Sequence, residues 1–137
     1  MFLTKELNAE IAREIAAGDI RFAELEADLV AFLINSAIHK DYLKQLSPPS
    51  EGVWEIRCHA DEPTIRVFGQ FPAKNLFVAM SARYRADLGN SDDPNWKYEI
   101  KQARHTWKKL FPTYDAKTTT DAHKLFDGAI HGKYYDD

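Results

Sequence analysis

Three arginines lie one each in three segments whose alternating apolar pattern is typical of β-strands. Arg57, Arg66 and Arg83 lie in segments 53–59, 64–71 and 75–83, respectively. Pairing Arg57 with Arg66, and Phe68 with Phe77, leaves all three arginines on the sheet face opposite the apolar residues. His59 and Thr64 would lie nearby. Like charges directly across two strands repel, and guanidinium groups suit phosphate oxygens. The pattern therefore predicts a surface that could hold a phosphate between arginines.

An alternative needs no bound anion. Glu55 and Glu62 lie close in sequence to the same arginines and could neutralise them on an ordinary solvated sheet face. Spacing alone favours this simpler interpretation. Both remain open at the level of sequence.

A second basic pattern lies on a predicted helix at 93–111. Four cationic residues recur at helical spacing, namely Lys97, Lys101, Arg104 and Lys108. Such a stripe could follow a nucleic-acid backbone. The same spacing is typical of the solvated side of a half-buried helix, and Glu99 lies close to these cations in the sequence.

Other familiar chemistry has no sequence support. The five histidines lack the spacing of metal ligands, and Cys58 alternates with apolar residues, as a buried thiol would. We find no glycine-rich phosphate loop, nucleophile elbow or paired carboxylates. The sequence thus gives no reason to expect a metal or another cofactor.

Two helices are predicted before residue 48. Asn8 is a candidate N-cap for the first, which Gly18 ends, and Asp19 can cap a longer second helix. Pro48-Pro49 ends that element, because proline lacks the backbone donor, and a bend at 35–36 fits the pattern. The apolar stripe of the second helix comprises Phe22, Leu25, Leu29, Phe32, Leu33 and Ala37.

After Gly52 the apolar period changes from helical to alternating, which predicts an antiparallel meander with turns at 61–63 and 72–74. Pairing Arg57 with Arg66 and Phe68 with Phe77 collects the apolar residues on one face, which should pack on the long helix. That face comprises Trp54, Ile56, Cys58, Ile65, Val67, Leu76, Val78 and Met80.

A third helix is predicted from Asp93 as N-cap, with Pro94 in its first position and Pro112 at its end. Its buried stripe comprises Trp96, Ile100, Ala103, Trp107, Leu110 and Phe111. A short helix is expected at 121–127. The sequence thus predicts one α+β domain over 1–137: N-terminal helices (1–51), a twisted antiparallel sheet of at least three strands (52–85), a helix (93–111) and a C-terminal extension (113–137).

Length and composition fit one globular domain. The chain has 137 residues, 45% hydrophobic and 28% charged, with a formal net charge of −3 and one cysteine. Residues 52–112 nevertheless carry ten lysines and arginines against seven acidic residues, between acidic flanks. The sequence shows no signal peptide or bilayer-spanning run, so we expect a cytoplasmic protein without membrane contact.

Ordered motifs run from Leu43 to Trp107. A leucine-containing segment at 43–46 precedes Gly-Val-Trp-Glu-Ile-Arg at 52–57 and Ile-Arg-Val at 65–67. An apolar strand at 76–80, Arg-Tyr-Arg at 83–85 and Glu-Ile-x-x-Ala at 99–103 follow. In these motifs, over about half of the chain, the sequence resembles the RelE/HigB/ParE toxin superfamily, particularly its phage-derived HigB-like branch.

The resemblance implies a RelE-like helical hairpin on an antiparallel sheet, with the opposite sheet face used for function. Active members are toxins of type II toxin–antitoxin systems. These mRNA interferases are ribosome-dependent endoribonucleases without a metal, in which the ribose 2′-hydroxyl attacks the adjacent phosphate. The implied partners are the ribosome, mRNA and a cognate antitoxin, expected to be a helix-turn-helix protein.

Carried over by position, Arg57 and Arg66 would hold phosphate, and Arg83 with Arg85 would replace the family's usual basic pair. Arginine does not act as a base near neutral pH, so His59 or Tyr84 is our candidate for proton transfer. The expected catalytic set is Arg66, Arg83, His59 and Tyr84. The expected RNA-binding set is Arg57, Arg85, Lys97, Lys101, Arg104 and Lys108.

Two other functions remain open on the same scaffold. The acidic flanks and the altered basic pair favour a noncatalytic module of prophage origin that binds RNA or a protein. A ParE-like gyrase inhibitor is the third hypothesis, since that branch shares the architecture but not the target.

Overall fold

The computed structural model describes residues 1–34, 37–39, 42–58, 63–125 and 133–135, and it is an α+β fold as predicted. Its elements in chain order are β1 (Phe2–Leu3), α1 (Lys5–Ala16), α2 (Ile20–Ile34), β2 (Ala37–His39), β3 (Leu43–Gln45), β4 (Val53–Arg57), β5 (Ile65–Ala73), β6 (Leu76–Tyr84), α3 (Pro94–Leu110) and β7 (Lys133–Tyr135). The main sheet has the order β1-β6-β5-β4-β3, while β2 and β7 form a separate pair. The main sheet is mixed, because β1 runs parallel to β6.

The N-terminal helices differ from the prediction at both ends. Thr4, and not Asn8, caps α1, since its hydroxyl accepts a hydrogen bond from the backbone N–H of Leu7. Asp19 caps α2 as predicted, by accepting from two backbone N–H groups of the first turn. The helix does not continue to Pro48-Pro49, because α2 ends at Ile34. The predicted bend at 35–36 lies outside the described residues, as do the side chains predicted for the stripe beyond Leu29.

The segment expected to end that helix is instead an edge strand. Leu43–Gln45 pairs antiparallel with β4, so that Leu43 is buried opposite Ile56 and Lys44 lies opposite Glu55. Pairing satisfies backbone groups of β4 that a helix would leave without partners. The predicted helical part at 1–51 therefore contains strands as well.

The predicted register is right on one side of β5 and wrong on the other. Between β4 and β5, Ile56 pairs with Val67 as expected. Between β5 and β6, Phe68 pairs with Ser81, four residues beyond the expected partner Phe77. The turn between β5 and β6 lies later in the chain than the predicted turn at 72–74, and this difference shifts the pairing of the two strands.

The turn itself consists of Lys74 and Asn75. Ala73 pairs with Leu76, so β5 continues through the segment expected to turn. Asn75 has a φ of 61°, a left-handed conformation that asparagine tolerates better than most residues. A two-residue turn at this asparagine closes the hairpin.

A β-bulge in β6 decides which of its side chains face α1 and α2, hereafter the helical hairpin. The register shifts at Gly69 and leaves Met80 unpaired. A Cβ on Gly69 would overlap the carbonyl oxygen of Val78, so this close approach needs glycine. Val78 and Met80 consequently leave the face predicted for them, and Phe77 and Ala79 take that place.

Helices cover both faces of the sheet. The helices α1 and α2 pack on the face that contains Trp54, Ile56 and Val67. Helix α3 packs on the other, hereafter the α3 face. The buried apolar cluster on this side of the sheet comprises Leu46, Val53, Phe68, Val78, Met80, Leu88, Ile100, Ala103 and Trp107. Asp93 and Pro94 begin α3 as predicted, but Leu110 is 47% exposed and lies outside its buried stripe.

The C-terminal extension is part of the fold. Tyr114 donates its hydroxyl proton to the carbonyl oxygen of Pro72 at 3.1 Å, and the backbone N–H of Lys117 donates to that of Phe71 at 2.8 Å. Leu125 is 1% exposed in the core beneath α1 and α2. The helix predicted at 121–127 is a 3-10 turn at Ala122–Lys124, with 126–132 outside the described residues.

Within the described ranges, none of the helices combines the length and the apolar character that crossing a bilayer requires.

We expect Leu125→Ala to lower the free energy of unfolding by about 2–4 kcal/mol, because it leaves a cavity in the core. Leu110→Ala is the matched control and should cost under about 1 kcal/mol, since Leu110 is largely solvated. Urea unfolding measures both. If Leu125→Ala lowered the free energy of unfolding as little as Leu110→Ala, the C-terminal extension would not contribute to the core.

Candidate phosphate-binding site

The three predicted arginines form one row across three adjacent strands. Arg57 on β4 pairs with Arg66 on β5, as predicted, and Arg66 pairs with Arg83 on β6. We call these residues the arginine row. The row lies on the α3 face, because Arg66 and Phe68 alternate with Val67, which is buried under the helical hairpin. Without counter-charges such a row would be destabilising.

Two buried carboxylates compensate most of this charge. Glu55 is 1% exposed, and its Oε1 lies 2.8 Å from Nε of Arg57. Glu99 of α3 is 3% exposed, with Oε1 at 2.8 Å from Nε of Arg83 and Oε2 accepting the hydroxyl proton of Ser81 at 3.1 Å. The neutralising role predicted for Glu55 is therefore present in the structure, whereas Glu62 lies outside the described residues.

Arg66 is the least compensated member of the row. Its Nε lies 3.8 Å from Oε2 of Glu55, which is too far for a hydrogen bond, and both atoms are buried without a hydrogen-bond partner. Burial lowers the pKa of Arg66, and the nearby guanidinium groups of Arg57 and Arg85 lower it further, although Glu55 opposes them. An anion beside Arg66 would reduce this electrostatic cost.

A pocket of about 220 Å³ opens beside Arg57 and Arg66. We call it the arginine pocket. Its charged lining consists of Lys44, Arg57, Arg66 and Arg85, with Glu55 as the single carboxylate among the lining residues. Leu46, Trp96 and Ile100 line its apolar side, and Ser91 adds a hydroxyl. Four cations against one carboxylate make this concave surface suitable for an anion.

Arg85 is held in place from two directions. Its Nη1 donates to the carbonyl oxygen of Gly89 at 2.6 Å, and its guanidinium carbon lies 5.3 Å from the ring centroid of Trp96. A cation over an indole face is attracted by the ring electrons. Arg85 lines the arginine pocket, whereas Arg83 forms ion pairs with Glu99 and, at 3.8 Å, with Glu10.

The structure places Tyr84 away from this site. Its ring packs edge-to-face against Phe22 of α2, with centroids 5.9 Å apart, and its hydroxyl donates to Oδ2 of Asp19 at 2.5 Å. Strand alternation accounts for this, since neighbours of Arg83 on β6 point to the opposite face. Tyr84 thus cannot transfer protons at the arginine row. His59, the other proton-transfer candidate, lies outside the described residues.

The basic stripe of α3 is solvated, and none of its residues lines the arginine pocket. Arg104 forms an ion pair with Glu51 at 2.5 Å. Arg104 and Lys108 line a separate pocket of about 570 Å³ beside the C-terminal extension. The structure therefore divides the predicted RNA-binding set, with Arg57 and Arg85 at the arginine pocket and the helical cations elsewhere.

Sequence reasoning missed three residues of the site. Lys44 was assigned to a helix end, and Trp96 only to a buried stripe. Glu99 was placed beside the basic stripe, although periodicity would have put it on the buried side of α3, three residues after Trp96 and four before Ala103. Cys58 was predicted correctly as a buried thiol, and burial raises its pKa to about 12.

We compared the chain with protein-family models, curated proteins and solved structures. No protein-family model, no curated protein and no solved structure matches the chain. Among the described residues, no three His, Cys, Asp or Glu side chains cluster closely enough to hold a metal ion. The site is therefore defined by its own geometry, as an arginine-lined pocket on the α3 face.

We expect Tyr84→Phe to leave any RNA cleavage unchanged and to lower the free energy of unfolding by about 1 kcal/mol near neutral pH. The Tyr84 hydrogen bond lowers the pKa of Asp19, so its contribution is present above about pH 4 and is lost as pH falls through the folded value. Burial raises the pKa of Tyr84 to about 12, so the contribution is also lost as pH rises from about 10.

Urea unfolding of both proteins from pH 2 to 12 measures this difference, which should be largest at intermediate pH. A Tyr84→Phe variant that folds normally but loses cleavage would contradict the placement of Tyr84 outside the site.

Proposed function

We propose that this protein is a toxin of the RelE/HigB type, a ribosome-dependent endoribonuclease that cleaves mRNA at the arginine pocket. The arrangement of Arg57, Arg66 and Arg85 around one concave surface carries this proposal. The resemblance implied a functional face opposite a helical hairpin, and the arginine row lies opposite α1 and α2.

The chemistry fits the residues of the pocket. When a ribose 2′-hydroxyl attacks the adjacent phosphate, negative charge develops on the phosphorane oxygens, and the bond to the 5′-oxygen breaks. Guanidinium groups held by Glu55 and Trp96 can stabilise that charge without rearranging. The products are a 2′,3′-cyclic phosphate and a 5′-hydroxyl. His59 remains our candidate for proton transfer, on the sequence alone, because it lies outside the described residues.

The proposal includes the partners that the resemblance implies. They are the ribosome with its mRNA and a cognate antitoxin of the helix-turn-helix class, which places the reaction in the cytoplasm. An acidic chain with a local cationic pocket suits binding to an RNA segment that the ribosome already presents.

RNA binding without cleavage is the second candidate. It is favoured by the placement of Tyr84 on the other sheet face and by the ion pair that occupies Arg83. Phosphate binding is common to both functions, and only cleavage separates them.

We expect inducible expression to arrest growth and to create new mRNA ends carrying 5′-hydroxyl groups. Arg66→Ala and Arg85→Ala should each reduce cleavage about 10²- to 10³-fold, because each removes a cation that stabilises the transition state. Sequencing of 5′-hydroxyl RNA ends after induction measures the effect.

Arg13→Ala is the matched control, since Arg13 lies on α1 with a 69% exposed side chain and should keep full activity. Thermal unfolding establishes that each variant is folded. Wild-type expression that leaves growth and mRNA intact would reject the toxin function, and RNA binding in the same protein would then support the second candidate.

Binding to RNA should depend on salt through the same residues. We expect Arg85→Ala to lower the slope of log Kd against log salt concentration by about 0.7, the value for one phosphate contact on a single strand. A 2′-O-methyl RNA prevents cleavage during the titration. Arg13→Ala should keep the wild-type slope, and an unchanged slope in Arg85→Ala would remove Arg85 from the phosphate contact.

A further inference from the structure

Three side chains in contact form a column from the core of the sheet to the arginine pocket. At its base Phe68 is 0% exposed on β5, and its ring meets that of Trp96 edge-to-face at 6.0 Å. The guanidinium of Arg85 lies over Trp96 at 5.3 Å and lines the pocket. The column thus begins at a fixed aromatic ring and ends at a planar cation.

The end of this column is restrained before any ligand arrives. The hydrogen bond from Arg85 to the carbonyl oxygen of Gly89 fixes the guanidinium, and Trp96 supports it from below. A planar guanidinium that is already oriented loses little freedom when a flat ring stacks on it. Bases of single-stranded RNA are commonly held by stacking on aromatic rings or on guanidinium planes.

The rest of the pocket suits the phosphate next to such a base. Arg57, Arg66 and Lys44 line the same pocket as Arg85. The apolar side formed by Leu46 and Ile100 offers contact for the edges of a base but no charge. One small cavity therefore combines an anion site with a stacking surface.

We infer that the Trp96–Arg85 column is a base-binding subsite, on which one unpaired RNA base stacks while its phosphate is bound by Arg57 and Arg66. This inference rests on the proposed function and adds to it, because phosphate binding alone requires neither the column nor its planar cation. The base subsite gives the site a preference for nucleotides over other phosphates.

Calorimetric titration of the whole protein tests this with adenosine 5′-monophosphate, ribose 5-phosphate and a short 2′-O-methyl oligoadenylate. We expect the nucleotide to bind about tenfold more tightly than ribose 5-phosphate, a gain within the range that stacking of one base contributes. The oligoadenylate should bind at least as tightly as the nucleotide.

Trp96→Leu should remove the preference for the nucleotide and keep the affinity for ribose 5-phosphate. Tyr98→Leu is the matched control, because Tyr98 lies on the same helix with 55% of its surface exposed, and it should keep the preference. Arg85→Lys, a second variant, retains the charge but loses the planar surface, so it too should lose the preference.

Equal affinities of the wild-type protein for the nucleotide and ribose 5-phosphate would overturn the base subsite and leave the phosphate site standing. Binding of neither compound would also overturn it. Binding of the nucleotide without the oligoadenylate would overturn RNA as the source of the base. The toxin function is judged separately, by the 5′-hydroxyl ends in cells, so the two proposals can fail independently.

Discussion

The buried carboxylate of Glu55 makes the arginine-lined surface possible. It lies on β4 between Arg57 and Arg66, and its contact with Arg57 at 2.8 Å offsets a repulsion that adjacent strands would otherwise carry. Removing one member of a buried ion pair leaves the other charge uncompensated, at a cost of about 3–5 kcal/mol. The charge of Arg66 is compensated only in part, because its Nε lies 3.8 Å from Oε2 of Glu55, beyond hydrogen-bond distance. The same carboxylate therefore supports the fold and leaves one guanidinium able to bind an anion.

The sheet has two covered faces, and the bulge in β6 makes this possible. Regular alternation would have placed Val78 and Met80 under the helical hairpin, leaving α3 with few apolar partners. The register shift at Gly69 sends both side chains to the α3 face, where they pack with Ile100 and other residues of α3. Helix α3 thus covers the apolar half of that face, and the arginine row occupies the rest.

The pairing of Arg57 with Arg66 was predictable because alternation within two short strands permits few registers. The partner of Phe68 on β6 could not be predicted in the same way. The position of the turn depends on the left-handed conformation at Asn75, and the bulge depends on the space that Gly69 leaves. The strand at Leu43–Gln45 was missed because three residues are too few to show a period. The local sequence pattern was enough to identify the arginines of the site. The ion pair of Arg83 with Glu99 was not predictable in this way, because tertiary packing brings α3 to β6.

The loop between β6 and α3 determines where Arg85 can point. Gly89 has a φ of 69°, and a Cβ there would overlap the carboxylate of Asp93, which caps α3. Any other residue at Gly89 would have to displace either this cap or the carbonyl oxygen that accepts from Arg85. The start of α3 also sets the position of Trp96, which supports the same guanidinium. Helix capping and the orientation of Arg85 are consequently one structural constraint, and a change in this loop should alter the arginine pocket without touching any residue of the arginine row.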